Sequence, residues 1–287
     1  MQLSICSYSF NRLLAAGKQD VFKYITDCKE LGCTQLDPWN GHLAELKDAE
    51  QVLQAGQDPE HAELSAQDDD YIRRVKAAGD AAGLPFGCIA VDGAHIYDDK
   101  PEYRKLFRSR AYRWIQIAQM LGAQQIRLDS GGTHEMPEEM FDIIVDGFRD
   151  LVARAGEANV QVVMENHWGA SQVPENVVRI MDTVPGLGLL FDTHNWAPGR
   201  QQDGWKMCAK YASITHVKTF DVSDDLVESS TDLNQGINTL LDAGYNGCWG
   251  IESCPTDGDE YAGVRKTIQL TKNALAQRAQ NGAAHVR

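Results

Sequence analysis

Late in the chain, four apolar runs stop on a carboxylate or an imidazole. They read VVMENHWG, LLFDTHNW, SITHVKTF and CWGIES, and carry Glu165, Asp192, His216 and Glu252. A charged group leaving water costs several kcal/mol unless it is paired, hydrogen-bonded or bound to a metal. Partners are therefore expected. The four residues are separated by 27, 24 and 36 positions. Each gap fits one strand-plus-helix unit of about 30 residues, so equivalent positions on adjacent strands would meet at one point. Three carboxylates and one imidazole on a common rim repel one another unless a cation sits among them. An oxygen-rich set favours one Mn2+ or Mg2+ ion, and the imidazole leaves Zn2+ and Co2+ open. A divalent ion beside adjacent hydroxyl and carbonyl oxygens acidifies the C–H between them and stabilises an enediolate. A carboxylate on one face can then remove that proton, and an acid on the other can return it.

Within each run the charged residues lie two apart: Glu165 with His167, Asp192 with His194, and His216 with Lys218. Side chains at that spacing share one face of a strand. Trp39, Trp168 and Trp196 follow strand ends, and aromatic faces suit the C–H surface of a sugar. His134 lies in SGGTHEMPEE, where glycines let backbone approach a ligand.

The elements that must position these groups alternate. Strands are expected at 3–10, 33–39, 84–92, 123–130, 160–166, 187–194, 213–220 and 248–253, with amphipathic helical runs between them. Pro101, Pro137 and Pro174 mark helix starts, and Gly32 marks a stop. Strict alternation implies a parallel sheet with right-handed crossovers. Eight units favour closure into a single-domain (β/α)8 barrel, whose active site lies at the C-terminal strand ends. No glycine-rich phosphate turn follows the first strand, which argues against an open dinucleotide-binding sheet. Residues 41–67 form an extra polar stretch after the second strand, with a short helix expected at 43–55. An insertion there sits at the barrel mouth and suits either a lid or a passive surface loop. The final helix is expected over 261–277, with QNGAAHVR as a disordered tail.

The net charge of −14 over 287 residues disfavours nucleic acid and anionic membrane as partners. No apolar run approaches the roughly 18 residues of a membrane helix, and the N-terminus lacks the pattern of a signal peptide. Seven scattered cysteines without a Cys-x-x-Cys pair fit reduced thiols in the cytoplasm.

In order, ENHWG, FDTHNW, HVK and GIES resemble the signatures of the xylose isomerase-like TIM-barrel superfamily. That group includes ketose 3-epimerases, hydroxypyruvate isomerases and inosose dehydratases. The resemblance implies Glu165, Asp192, His216 and Glu252 as metal ligands, with Glu165 and Glu252 also exchanging the proton. His194 resembles the substrate-contacting histidine of the ketose epimerases. There it stands three residues after the aspartate, whereas here the strand end reads Asp-Thr-His-Asn. The implied activity is isomerisation or epimerisation of a keto sugar or cyclitol. The alternative is elimination from the same enediolate, with His167, Lys218 and His134 as further acids and bases. Trp39 and Trp196 would wall the substrate pocket. Homodimers or homotetramers are common in the group. Of the other classes, a DNA-cleaving relative would need more ligands and a basic surface. A sugar-binding protein would not need carboxylates flanking a metal. A serine hydrolase would need a nucleophile elbow that is absent.

Overall fold

The computed structural model describes residues 1–43 and 66–284. Most of the extra segment at 41–67, with the helix expected there, lies outside the described residues. The expected alternation is present. Strands β1 (Leu3–Ile5), β2 (Cys88–Ala90), β3 (Gln125–Leu128), β4 (Gln161–Glu165), β5 (Gly188–Asp192), β6 (Ala212–Thr219) and β7 (Trp249–Ser253) form one parallel sheet in the order β1-β7-β6-β5-β4-β3-β2.

The eighth unit is residues 36–39, which make isolated parallel bridges instead of a continuous strand. Cys6 pairs with Asp37 on one side; Leu36 and Trp39 pair with Phe86 and Ala90 on the other. These bridges join β1 to β2 and close the circle. The ladder is broken because Pro38 has no N–H to donate. The Asp37 N–H is also diverted, donating to Tyr24 Oη at 2.8 Å.

The first strand is shorter than expected. It ends at Ile5, and Ser7–Phe10 form a helical turn. Serine hydroxyls compete with ladder hydrogen bonds. Here Ser9 Oγ accepts from the Ser253 N–H at 3.0 Å, tying the turn to the end of β7. The last helix runs Glu260–Ala284, so it continues into the segment expected to be a disordered tail.

Helix starts follow local chemistry. Asp20 accepts from the Lys23 N–H ahead of Val21–Glu30. Pro101 and Pro174 occupy the first turns of Pro101–Leu121 and Pro174–Thr183, whereas Pro137 sits one residue ahead of Glu138–Glu157. A large apolar core fills the space between helices and sheet. Inside the barrel, Cys88, Val163, Leu190 and Ile214 form a separate apolar cluster. Val163, Leu190 and Ile214 each precede a site residue by two positions, so the strand period places this floor directly beneath Glu165, Asp192 and His216. No described helix is long and apolar enough to cross a membrane.

Buried His42 belongs to the wall near the barrel mouth. Its Nδ1 lies 3.0 Å from Ser7 Oγ, and burial pushes its pKa down to about 4. The fold thus prefers the neutral ring. That preference contributes fully above the unfolded value of about 6.5 and is lost as pH falls from there towards 4, a loss of roughly 3 kcal/mol. Denaturant unfolding of wild type and His42→Gln at pH 7 and pH 4 should show this difference. Equal acid sensitivity in both proteins would remove His42 as its source.

Candidate active site

At the C-terminal strand ends, Glu165, Asp192, His216 and Glu252 each place a ligand-type atom within 4.8 Å of the others. All are buried. His216 Nδ1 is the hub: Glu252 Oε2 lies at 2.9 Å, Glu165 Oε1 at 3.3 Å and Asp192 Oδ2 at 3.9 Å. The heights differ from those implied by spacing alone. β-Register pairs Asp192 with His216, but Glu252 with Lys218, two residues beyond His216. The stagger of a closed barrel brings them together despite this offset. Gly250 stands opposite His216, where a Cβ would lie 2.3 Å from the Thr215 carbonyl oxygen, so close strand approach requires glycine there.

The loop after β5 explains how Asp192 is aimed. Its Oδ1 accepts from the backbone N–H groups of His194 and Asn195, at 2.6 and 2.9 Å. This local turn leaves Oδ2 buried without a hydrogen-bond partner among the described residues. It also separates His194 from Asp192. The expected shared face does not hold there: His194 Nε2 lies 2.7 Å from Ser230 Oγ, and its ring packs edge-on against Phe220. Burial lowers its pKa. Asn166 answers a different need. Its side-chain amide accepts from the Asp192 N–H and donates to the Asp192 carbonyl, clamping β4 to β5.

Below these residues the wall is apolar; above them lies a cavity of about 120 Å³. Glu165, His167, His216, Lys218, Glu252 and Trp39 line it, as do Cys6, Tyr8, Asp92 and Arg127. Trp39 donates from Nε1 to Asp92 Oδ2 at 2.8 Å and meets Tyr8 edge-on at 5.1 Å. Trp196 does not line this cavity. It packs on Phe191 in the core, against Gly204, where a Cβ would come within 2.3 Å of its ring. His134 is exposed, with Nε2 3.0 Å from Gln172 Oε1, and is not part of the cavity wall.

Arg127 is a site residue that the strand-end pattern of the later strands did not reveal. Its Nε is 2.9 Å from Glu165 Oε2, and its Nη1 is 2.9 Å from both Asp92 Oδ1 and Asp129 Oδ2. The signal was present in IRLDS, where Arg127 and Asp129 again stand two apart. Asn195 was also missed; its Nδ2 donates to Glu165 Oε1 at 3.2 Å. A second cluster, Asp92, Asp129 and His167, also has metal-like spacing. The guanidinium already occupies the space between its two aspartates, so it is an ion-pair network.

The charges tune one another. Burial alone would raise the Glu165 carboxyl, but Arg127, His167 and His216 outweigh it and hold the pKa down at about 2. Glu252 is likewise driven well below the usual carboxylate range: burial opposes this, and Lys218 and His216 prevail. Lys218 Nζ donates to Glu252 Oε1 at 3.1 Å. Asp192 differs. Burial, helped by Glu252 and Glu165, pushes it up to about 7 against the pull of Lys218. For His167, burial lowers the pKa, but Glu165 and Asp129 raise it to about 9.

The donor set therefore fits a divalent cation. Three buried carboxylates and an imidazole face one point, the Asp192 Oδ2 oxygen lacks a hydrogen-bond partner among the described residues, and burial with two neighbouring carboxylates destabilises the Asp192 anion.

Comparisons with known proteins agree with this architecture. Among solved structures, L-ribulose 3-epimerase superposes with a TM-score of 0.72 at 11% identity, over 100% of this chain and 98% of the other. The IOLI protein, solved with a bound zinc atom, gives 0.68 at 15% identity, over 96% and 97%. The probable 3-DHS dehydratase AsbF of Bacillus anthracis gives 0.63 at 14% identity, over 95% and 98%. At such identities the likeness is one of fold. A curated protein, imidazole glycerol phosphate synthase subunit HisF of Staphylococcus aureus (strain MRSA252), is 30% identical over 109 residues. That match spans 36% of this chain and 42% of the relative's length. The family described as xylose isomerase-like TIM barrel matches residues 25–274. This chain, with its parallel barrel and its charged strand ends, belongs to the xylose isomerase-like TIM-barrel family.

Proposed function

We propose that the protein is a divalent-metal-dependent isomerase or epimerase of a keto sugar or cyclitol. The observation that carries this reading is the placement of two carboxylates, Glu165 and Glu252, against His216 Nδ1 at 3.3 and 2.9 Å, at the wall of the strand-end cavity. Glu165, Asp192, His216 and Glu252 would hold the ion. Mn2+ and Mg2+ suit the oxygen-rich set, and the zinc atom in the IOLI neighbour keeps Zn2+ and Co2+ in play. When bound, the ion would polarise the substrate carbonyl and acidify the adjacent C–H.

The chain's own residues supply the remaining parts. Glu165 is held on Oε2 by Arg127 and on Oε1 by Asn195. It is ionised throughout the physiological range and takes the substrate proton on one face. A carboxylate with so low a pKa is a weak base, so it works only on an acidified C–H. Glu252, on the opposite side, would return a proton that it first takes from solvent water, while the proton left on Glu165 passes back to water and closes the cycle; Lys218 keeps the resting Glu252 carboxylate in place. Lys218 also puts positive charge beside an oxygen gaining negative charge. Trp39 and Tyr8 supply flat surfaces for the sugar's C–H groups.

A second reading, elimination of water from the same intermediate, is favoured by one contact. His167 Nδ1 lies 3.3 Å from Asp129 Oδ1 with its ring at the cavity wall, well placed to protonate a departing hydroxyl. Incubation with free keto sugars and inososes in D2O separates the two. Deuterium at the carbon beside the carbonyl without loss of water supports isomerisation; a dehydrated product supports elimination. Chelation should abolish either activity, and Mn2+ or Mg2+ should restore it. Full turnover in excess chelator would remove the metal from the mechanism. A cytoplasmic location is part of this reading, supported by seven free cysteines, six of them buried.

A further inference from the structure

The cavity's positive side chains are all engaged by carboxylates. Arg127 is shared by Asp92, Asp129 and Glu165, at 2.9 Å in each case. Lys218 is bound by Glu252 at 3.1 Å, His167 faces Asp129 at 3.3 Å, and His216 faces Glu165 and Glu252. Among the described lining residues, no cation is left over for an anionic ligand.

Asp92 is the exposed member of this network. Its side chain is 43% accessible, while that of Asp129 is 2%. It is also rigidly placed. Oδ1 meets Arg127, Oδ2 accepts from Trp39, and its backbone N–H and carbonyl are bracketed by the Asn40 side-chain amide. A fixed, partly exposed carboxylate accepts hydrogen bonds from neutral hydroxyls and repels phosphate. It also covers Arg127, the one guanidinium among the described lining residues, and a guanidinium is the group best shaped to grip a phosphate.

We infer that the substrate is an uncharged polyhydroxylated ketone, not a sugar phosphate, and that Asp92 enforces this choice by covering Arg127 and presenting a carboxylate to the cavity. The inference rests on the keto-sugar reading above. It deepens that reading by naming the charge class of the substrate and a specificity-determining residue.

The test measures binding by calorimetry on the metal-loaded protein, with free ketopentoses, ketohexoses and an inosose, each beside its monophosphate. Wild type should bind the free compound at least about tenfold more tightly than its phosphate, and Asp92→Asn should erode most of that ratio. Tighter binding of the phosphate by wild type overturns the inference, as does a ratio unchanged in Asp92→Asn. If no sugar of either kind binds, the keto-sugar reading has failed, and inorganic phosphate then decides this point separately. Saturable phosphate binding gained only in Asp92→Asn supports the inference. Saturable binding by wild type, or binding by neither protein, overturns it.

Discussion

Glu165→Gln is expected to lower turnover of the proposed keto-sugar substrate by about a hundred- to ten-thousand-fold while leaving the barrel folded. The amide keeps the shape of the side chain and can still receive the Asn195 contact. It cannot take up a proton from carbon, and it would offer the proposed ion one charge less. Arg127 keeps Asp92 and Asp129 as partners, so the fold loses little. Steady-state kinetics with circular dichroism and metal analysis would check all three points. Turnover close to wild type would remove Glu165 from the chemistry. Loss of activity together with loss of folded signal would make it a structural residue.

Arg127→Met should be the most destabilising single change at the site, by about 3–5 kcal/mol in the metal-free protein. The guanidinium is buried with side-chain exposure of 5%, and it neutralises Glu165 and Asp129, each at 2%. Without it, Glu165 would be left with His216 and His167, and Asp129 with His167 alone, as countercharge for two buried carboxylates. They would have to take up protons or open the structure to water. Burial opposes the charge on Arg127 itself, but Asp129, Glu165 and Asp92 overcome it and raise its pKa well above the usual value. Urea unfolding of chelated wild type and variant measures the difference. A cost below about 1 kcal/mol would mean that water or backbone groups already satisfy these carboxylates. Arg127→Lys should recover only part of the loss, because an ammonium cannot span three carboxylates as the planar fork does.

These two residues differ in how visible they were in the sequence. Glu165 stands out because its run is apolar up to the carboxylate and because three similar runs follow at one-unit spacing. Arg127 has the same strand-end placement, but an Arg and an Asp two apart can satisfy each other, so IRLDS poses no local problem that calls for a distant partner. His194 and Trp196 went the other way. Both follow Asp192 closely, yet a side chain's direction after a strand end depends on the turn. Here Asp192 Oδ1 spends its lone pairs on the turn's N–H groups, and that turn sends His194 to Ser230 and Trp196 into the core. His134 lies on a loop with no periodicity to orient it.

The barrel, the order of its units and the four residues at its centre follow from the sequence alone, because they rest on periodicity. A strand alternates every two residues and a strand-helix unit repeats about every thirty, so residue number converts directly into face and height. What periodicity does not carry is stagger, pairing and turn direction. Only the closed barrel decides that Glu252 sits level with Lys218 and still reaches His216. Only the folded wall decides that Arg127 is shared among three carboxylates, and that Pro38 turns an expected strand into a set of bridges. Apart from the Arg127–Asp129 pair, those features depend on contacts between residues 31 to 51 positions apart in the chain, and no local rule of spacing contains them.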